Sequence, residues 1–236
     1  MKRFLLTAVA VFFIDLAAQA QQPAPAPLAR FAVWQPKENQ EQQFADGYKL
    51  HLAWHRAQPD PWSWLGWLVA SGPRQGQFID ATFGHAAADF DHPVSPAADA
   101  ADNVLHTEPF ARFAGSFTVA LLPGASSPGP RQLTDAYLRV YHLTPTRLVD
   151  LKALLAKLRV IVARKYPAQR LYCFEWLDGG KLPQVLVLLP VASLGESLVP
   201  VQILGELETL DTHHVVQGVE AETWRYRADL SYFPGQ

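Results

Sequence analysis

Residues 62–71, "WSWLGWLVAS", carry apolar side chains on both phases of a two-residue alternation: Trp62, Trp64 and Leu68 on one, Leu65, Trp67 and Val69 on the other. A strand of this kind is buried on both faces. Beyond the "GPRQG" turn, "QFIDATFG" predicts a second strand, with Phe78, Asp80 and Thr82 on one face and Ile79, Ala81 and Phe83 on the other. Upstream, "RFAVWQP" reads as a short strand. A helix follows from about Asn39 to Arg56, because Phe44, Tyr48, Leu52 and His55 recur at four- and three-residue steps. After "DHPVSP" a second helix is expected from near Ala97 to about Phe113.

The order then returns. "AYLRVYHLT" is a strand, and the stripe Leu148, Leu151, Leu155, Leu158, Val162 marks a helix. "RLYCFEWLD" and "PQVLVLLPVAS" are two strands around "DGGKLP", and a last helical region starts near Leu198. "SFTVALLPG" and "RADLSYFPG" echo each other at the ends of the two halves. The pattern therefore predicts an α+β fold of tandem ferredoxin-like βαββα modules, residues 30–120 and 136–236, joined by a Pro-rich connection, 121–135. Strands apolar on both faces need a second layer besides their own helices. The two sheets are thus expected to pack together or close into a barrel, helices outside.

This order, the "YKLHLAWHR" helix and the Trp-rich second strand resemble the dimeric α+β barrel superfamily, and "SGPRQGQFIDATFGH" is similar to a stretch found in exported bacterial proteins. The superfamily includes haem-binding peroxidase-like proteins, chlorite-decomposing enzymes, small monooxygenases and stress-response proteins. The resemblance implies a cavity more than a particular reaction.

Residues 1–20 read as a signal peptide, with Lys2 and Arg3, an apolar run from Phe4 to Ile14 and a small-x-small end at Ala18-Gln19-Ala20. A Pro/Ala linker, residues 21–29, follows. The expected location is exported, periplasmic or secreted. The run is too short, and too soon interrupted by Asp15, to predict a stable membrane anchor. Without Lys2, Arg3 and Asp15 the 20 basic and 22 acidic residues become 18 and 21, a net charge of about −3, which gives nucleic acid no electrostatic reason to bind. Cys173 is the single cysteine, so the chain has no internal disulfide and must be held by its core.

Several side chains stand out chemically. His51 and His55, one helical turn apart, are the candidate cofactor-binding pair; HxxxH is a usable metal half-site, although the zinc-protease HExxH pattern is absent. Asp80 in mid-strand needs a partner or a raised pKa. His85, just past the strand, is a candidate for that partner or for a neutral acid/base group, and the two are the candidate catalytic residues. Asp89 and Asp91 read instead as corner and helix-start chemistry. Trp62, Trp64 and Trp67, from a cluster of four tryptophans, are candidate ligand-binding residues. Glu175, an acid inside "LYCFEWL", joins them if the two sheets face each other across a cavity. Its carboxylate argues against a reactive Cys173 thiolate.

Two functions are compatible with this pattern. One is an exported protein binding a small apolar or aromatic ligand between its modules. The other is an oxidoreductase of the α+β barrel type, with haem or without a cofactor. A third, an interaction module presenting its outer helices, has no mapped surface in the sequence. GxSxG, GxxxxGK[ST], CxxC and a post-strand GxGxxG are all absent.

Overall fold

The computed structural model describes residues 28–129, 131 and 133–235; the expected signal peptide lies outside them. Leu28 and Ala29, at the end of the stretch read as linker, are already strand. β1 (Leu28–Pro36), α1 (Glu41–Ala57), β2 (Leu65–Ser71), β3 (Phe78–His85), α2 (Pro96–His106) and β4 (Ala111–Leu121) form one repeat. β5 (Tyr137–Pro145), α3 (Leu148–Lys165), β6 (Tyr172–Asp178), β7 (Val185–Val191), α4 (Leu198–Leu210) and β8 (Val216–Tyr226) form the other.

The strand order β4-β1-β3-β2 in the first repeat returns as β8-β5-β7-β6 in the second, antiparallel throughout. Pairing of β2 with β8 and of β4 with β6 closes all eight strands into one barrel. Each repeat is thus βαββαβ, one strand more than the sequence pattern gave. β4 begins at Ala111, so α2 stops at His106 instead of running to Phe113. Pairing of Ala111–Phe113 with Trp34–Pro36 in β1 supplies the ladder that ends the helix. The match of "SFTVALLPG" to "RADLSYFPG" is likewise displaced: the counterpart of β4 is β8, and Ala228–Leu230 form a 3-10 turn beyond it.

Alternation decides what each strand buries. Phe31, Trp67, Ile79, Phe117, Phe174 and Trp224 are among the residues that point into the barrel. Phe31 stacks on Phe117 at 4.7 Å and Phe117 on Trp176 at 4.0 Å between ring centroids. An eight-stranded barrel is just wide enough for side chains to fill it or for one small ligand. Aromatic rings fill this one, so the expected ligand cavity between the modules is replaced by a packed core. The opposite faces lie under helices: Phe44, Tyr48 and Leu52 of α1 pack on Trp34 and Phe78, while the α3 stripe packs on Cys173, Val185 and Val187.

Candidate active-site groove

The chemistry gathers outside the barrel wall, where α1 and α2 cross the outer face of β1 and β3. Two adjoining hollows of about 340 and 270 Å³ share Ala32, His55, Trp64, Asp99 and Phe113 in their lining. A larger hollow of about 550 Å³, beside the start of α3, has no comparable convergence of buried groups.

α1 places His51 and His55 on its inward face, both more than nine-tenths buried. Their Nε2 atoms are 3.2 Å apart. His51 Nδ1 lies 2.8 Å from Asp102 Oδ2, and His55 Nδ1 lies 2.7 Å from Asp60 Oδ2. Asp60 is itself fixed, accepting from the Trp62 backbone N–H and the Trp64 indole, each at 2.9 Å. A third carboxylate, Asp99 on α2, brings Oδ1 to 3.4 Å from His51 Nε2 and 3.8 Å from His55 Nε2. Burial, and after it the neighbouring His55 imidazole, pushes His51 down to about 4, so His51 is neutral at pH 7. Burial alone would raise Asp60, but hydrogen bonds from His55, Trp64 and Trp62 bring it below the usual carboxylate range. Burial raises Asp99, helped by Asp102 and Asp60 and opposed by His55.

Asp80 forms the floor. It pairs across the β1–β3 ladder with Ala32, and both residues line the groove. The Trp34 indole donates to Asp80 Oδ2 at 3.1 Å, and the Tyr48 hydroxyl also hydrogen-bonds to it. Burial outweighs both bonds and pushes the Asp80 carboxyl up to about 7. Tyr48 is raised well above its ordinary range, first by burial and then by Asp80.

The other sequence candidates disperse. His85 does not pair with Asp80. Residues five apart on a strand are separated by about 16 Å; His85 instead sits 2.6 Å from Thr82 Oγ1 and 4.4 Å from the Trp62 ring, between centroids. Gly84, at φ +87°, shifts the β1–β3 register and turns His85 to the same face as Thr82. Asp89 accepts from the Ala86 backbone N–H at 2.8 Å and caps a 3-10 turn, as a corner residue does. Trp62 and Trp64 line the groove, whereas Trp67 is wholly buried in the barrel interior. Glu175 faces the helix layer of the other repeat and pairs with Lys152 of α3, so it shares no cavity with Asp80. Cys173 is buried and its thiol pushed up by burial, which leaves it unreactive.

Asp60, Asp99, Asp102 and Asn103 are the groups missed in the sequence. A signal existed: Asp99, Asp102, Asn103 and His106 in "PAADAADNVLH" fall at i, i+3, i+4 and i+7, one polar face of α2 turned toward the histidines of α1.

A porphyrin takes four of an iron's six positions and leaves two, so His51, His55 and Asp99 cannot all ligate one haem iron.

No protein-family profile and no curated protein sequence matches the chain. Solved structures do. A candidate monooxygenase from Lactobacillus acidophilus NCFM aligns with TM-score 0.61 at 11% identity, over 89% of this chain and 97% of that one. An anthrone oxidase-like protein aligns at 0.57 and 13%, over 89% and 94%. Chlorite dismutase from Candidatus Nitrospira defluvii aligns at 0.53 and 8%, over 85% and 91%. At such identities the likeness is one of fold, and that fold is the dimeric α+β barrel, here with both ferredoxin-like units in a single chain.

Proposed function

We propose that the protein is an exported oxidoreductase acting on a small, largely apolar aromatic molecule held in the groove of the first repeat. The observation that carries this reading is Asp80: a buried carboxyl that titrates at about 7, on the floor of a hollow that also exposes His51, His55 and Trp64. A carboxyl titrating near neutrality both gives and takes a proton at little cost. Trp34, Trp64 and Phe113 supply flat apolar walls for a ring. The monooxygenase-like and oxidase-like neighbours support the reaction class, and the leader-like first 20 residues support export.

Oxygen consumption and product formation with small phenols, quinols and anthrone test the reading. Turnover of at least one compound, reduced tenfold or more by Asp80→Asn and unchanged by Glu175→Gln, is expected. A folded protein that converts none of them with oxygen or peroxide overturns it.

A further inference from the structure

We infer that His51, His55 and Asp99 form a binding site for one divalent first-row transition-metal ion, its open side facing the groove. The argument begins with proton placement. Each imidazole turns Nδ1 to a carboxylate, His51 to Asp102 and His55 to Asp60, so each Nδ1 carries the proton it donates. With each Nδ1 so engaged, the two Nε2 atoms turn to each other at 3.2 Å and to Asp99 Oδ1 at 3.4 and 3.8 Å. Three ligand atoms thus converge on one point, with the Asn103 amide nitrogen beside them, 3.3 Å from His51 Nε2 and 3.4 Å from Asp99 Oδ1. A cation at their centre would be held by all three.

The spacing is that of ligands around one ion. Donors bound at about 2.1 Å and subtending 90–110° lie roughly 3.0–3.4 Å apart. Two of the three separations fall in that range, and the third closes with a small rotation of the half-exposed Asp99 side chain. Asn103 adds an independent sign: its Oδ1 is buried without a hydrogen-bond partner, while its Nδ2 lies 3.3 Å from His51 Nε2. A half-turn of the amide would present that oxygen to the same centre. Charge agrees too. Among the described residues no Lys or Arg pairs with Asp60, Asp99 or Asp102, and a divalent ion offsets their charge. Two imidazoles with one carboxylate favour Mn, Fe, Co or Zn over Mg or Ca, which take oxygen ligands. The Nδ1–carboxylate contacts are the outer-shell bonds that hold such ligands in their tautomer.

The inference rests on the same groove as the proposed oxidoreductase and would give that reaction its cofactor. It is read without turnover, so the two can fail separately. Chelator-stripped full-length mature protein is titrated anaerobically with Co²⁺, followed by ligand-field absorption, and with Zn²⁺ by calorimetry. One ion per chain is expected, weakened at least a hundredfold in His55→Gln and ten- to a hundredfold in Asp102→Asn, both checked for folding by circular dichroism. Glu175→Gln should bind as the parent does. Absence of saturable uptake at one equivalent, or equal uptake by the folded Asp102→Asn and His55→Gln variants, overturns the site. Oxygen turnover without bound metal would overturn only its role in the reaction.

Discussion

Between Trp34 and Tyr48, Asp80 keeps its proton to about pH 7, because burial costs the carboxylate more than two hydrogen bonds return. The unfolded chain releases that proton near pH 4. From about pH 4 to 7 the native state therefore binds a proton the unfolded state has lost. This contribution to stability is complete below pH 4 and withdrawn as pH rises through 7, by at most about 4 kcal/mol. Asp80→Asn keeps an acceptor for the Trp34 indole and cannot ionise. Its urea-unfolding stability should exceed that of the parent at pH 8 and lose the advantage at pH 5; parallel curves for the two proteins would show that Asp80 ionises without cost. His55 and Asp99 also face this carboxyl and are common to both proteins. At this scale the sequence exposed the oddity of Asp80 and the HxxxH spacing, since both are local. It did not expose the partners, because Trp34 lies 46 residues from Asp80 and Asp102 lies 51 from His51.

Among the elements, α2 is unusual in burying none of its own side chains, yet it carries Asp99, Asp102 and Asn103 to the site. It is tied to α1 by the Asp102 and Asn103 contacts to His51 and by close backbone approach at Gly47. A β-carbon on Gly47 would run into the carbonyl oxygen of His106, so only glycine lets the two helices approach this closely. Gly47→Ala should therefore destabilise the protein by roughly 1–3 kcal/mol, even though alanine favours the helix by about 1 kcal/mol. It should also weaken metal uptake tenfold or more by moving Asp99 and Asp102 from the histidines. Gly205→Ala in α4, where a β-carbon meets nothing, is the control and should stabilise by about 0.5–1 kcal/mol. Paired urea melts and Co²⁺ titrations read both effects; equal behaviour of the two variants would refute this account of α2. Helical spacing revealed the stripes of α1 and α3 because they are buried apolar faces. α2 has an acidic face instead, which looks the same in a sequence whether it meets water or two imidazoles.

For the molecule as a whole, strands apolar on both faces correctly implied a closed double layer, but not that its centre would be solid: ring volume against barrel width is a property of eight strands together. Closure also creates a seam. Arg74, in the turn between β2 and β3, forks onto Glu222 of β8 at 2.9 and 2.7 Å, while the Trp224 indole donates to the same carboxylate at 2.7 Å and His142 Nε2 lies 3.6 Å away. Burial opposes the Glu222 charge, yet the hydrogen bonds from His142, Arg74 and Trp224 outweigh it and hold the carboxyl well below its usual range. Glu222 is almost wholly buried and Arg74 about a quarter exposed, so deleting the acid strands one cation and one indole N–H where little water reaches them. Glu222→Ala should cost roughly 2–4 kcal/mol, short of the loss for a fully buried pair because Arg74 retains some solvent. Glu222→Gln, which keeps an acceptor for the indole, should cost less. Neither should alter metal uptake, since none of these four residues touches His51, His55 or Asp99. Chemical denaturation followed by Trp fluorescence gives the order. If the alanine variant is as stable as the parent, the barrel is closed by its ladders and aromatic core alone, and the seam is only a consequence of closure.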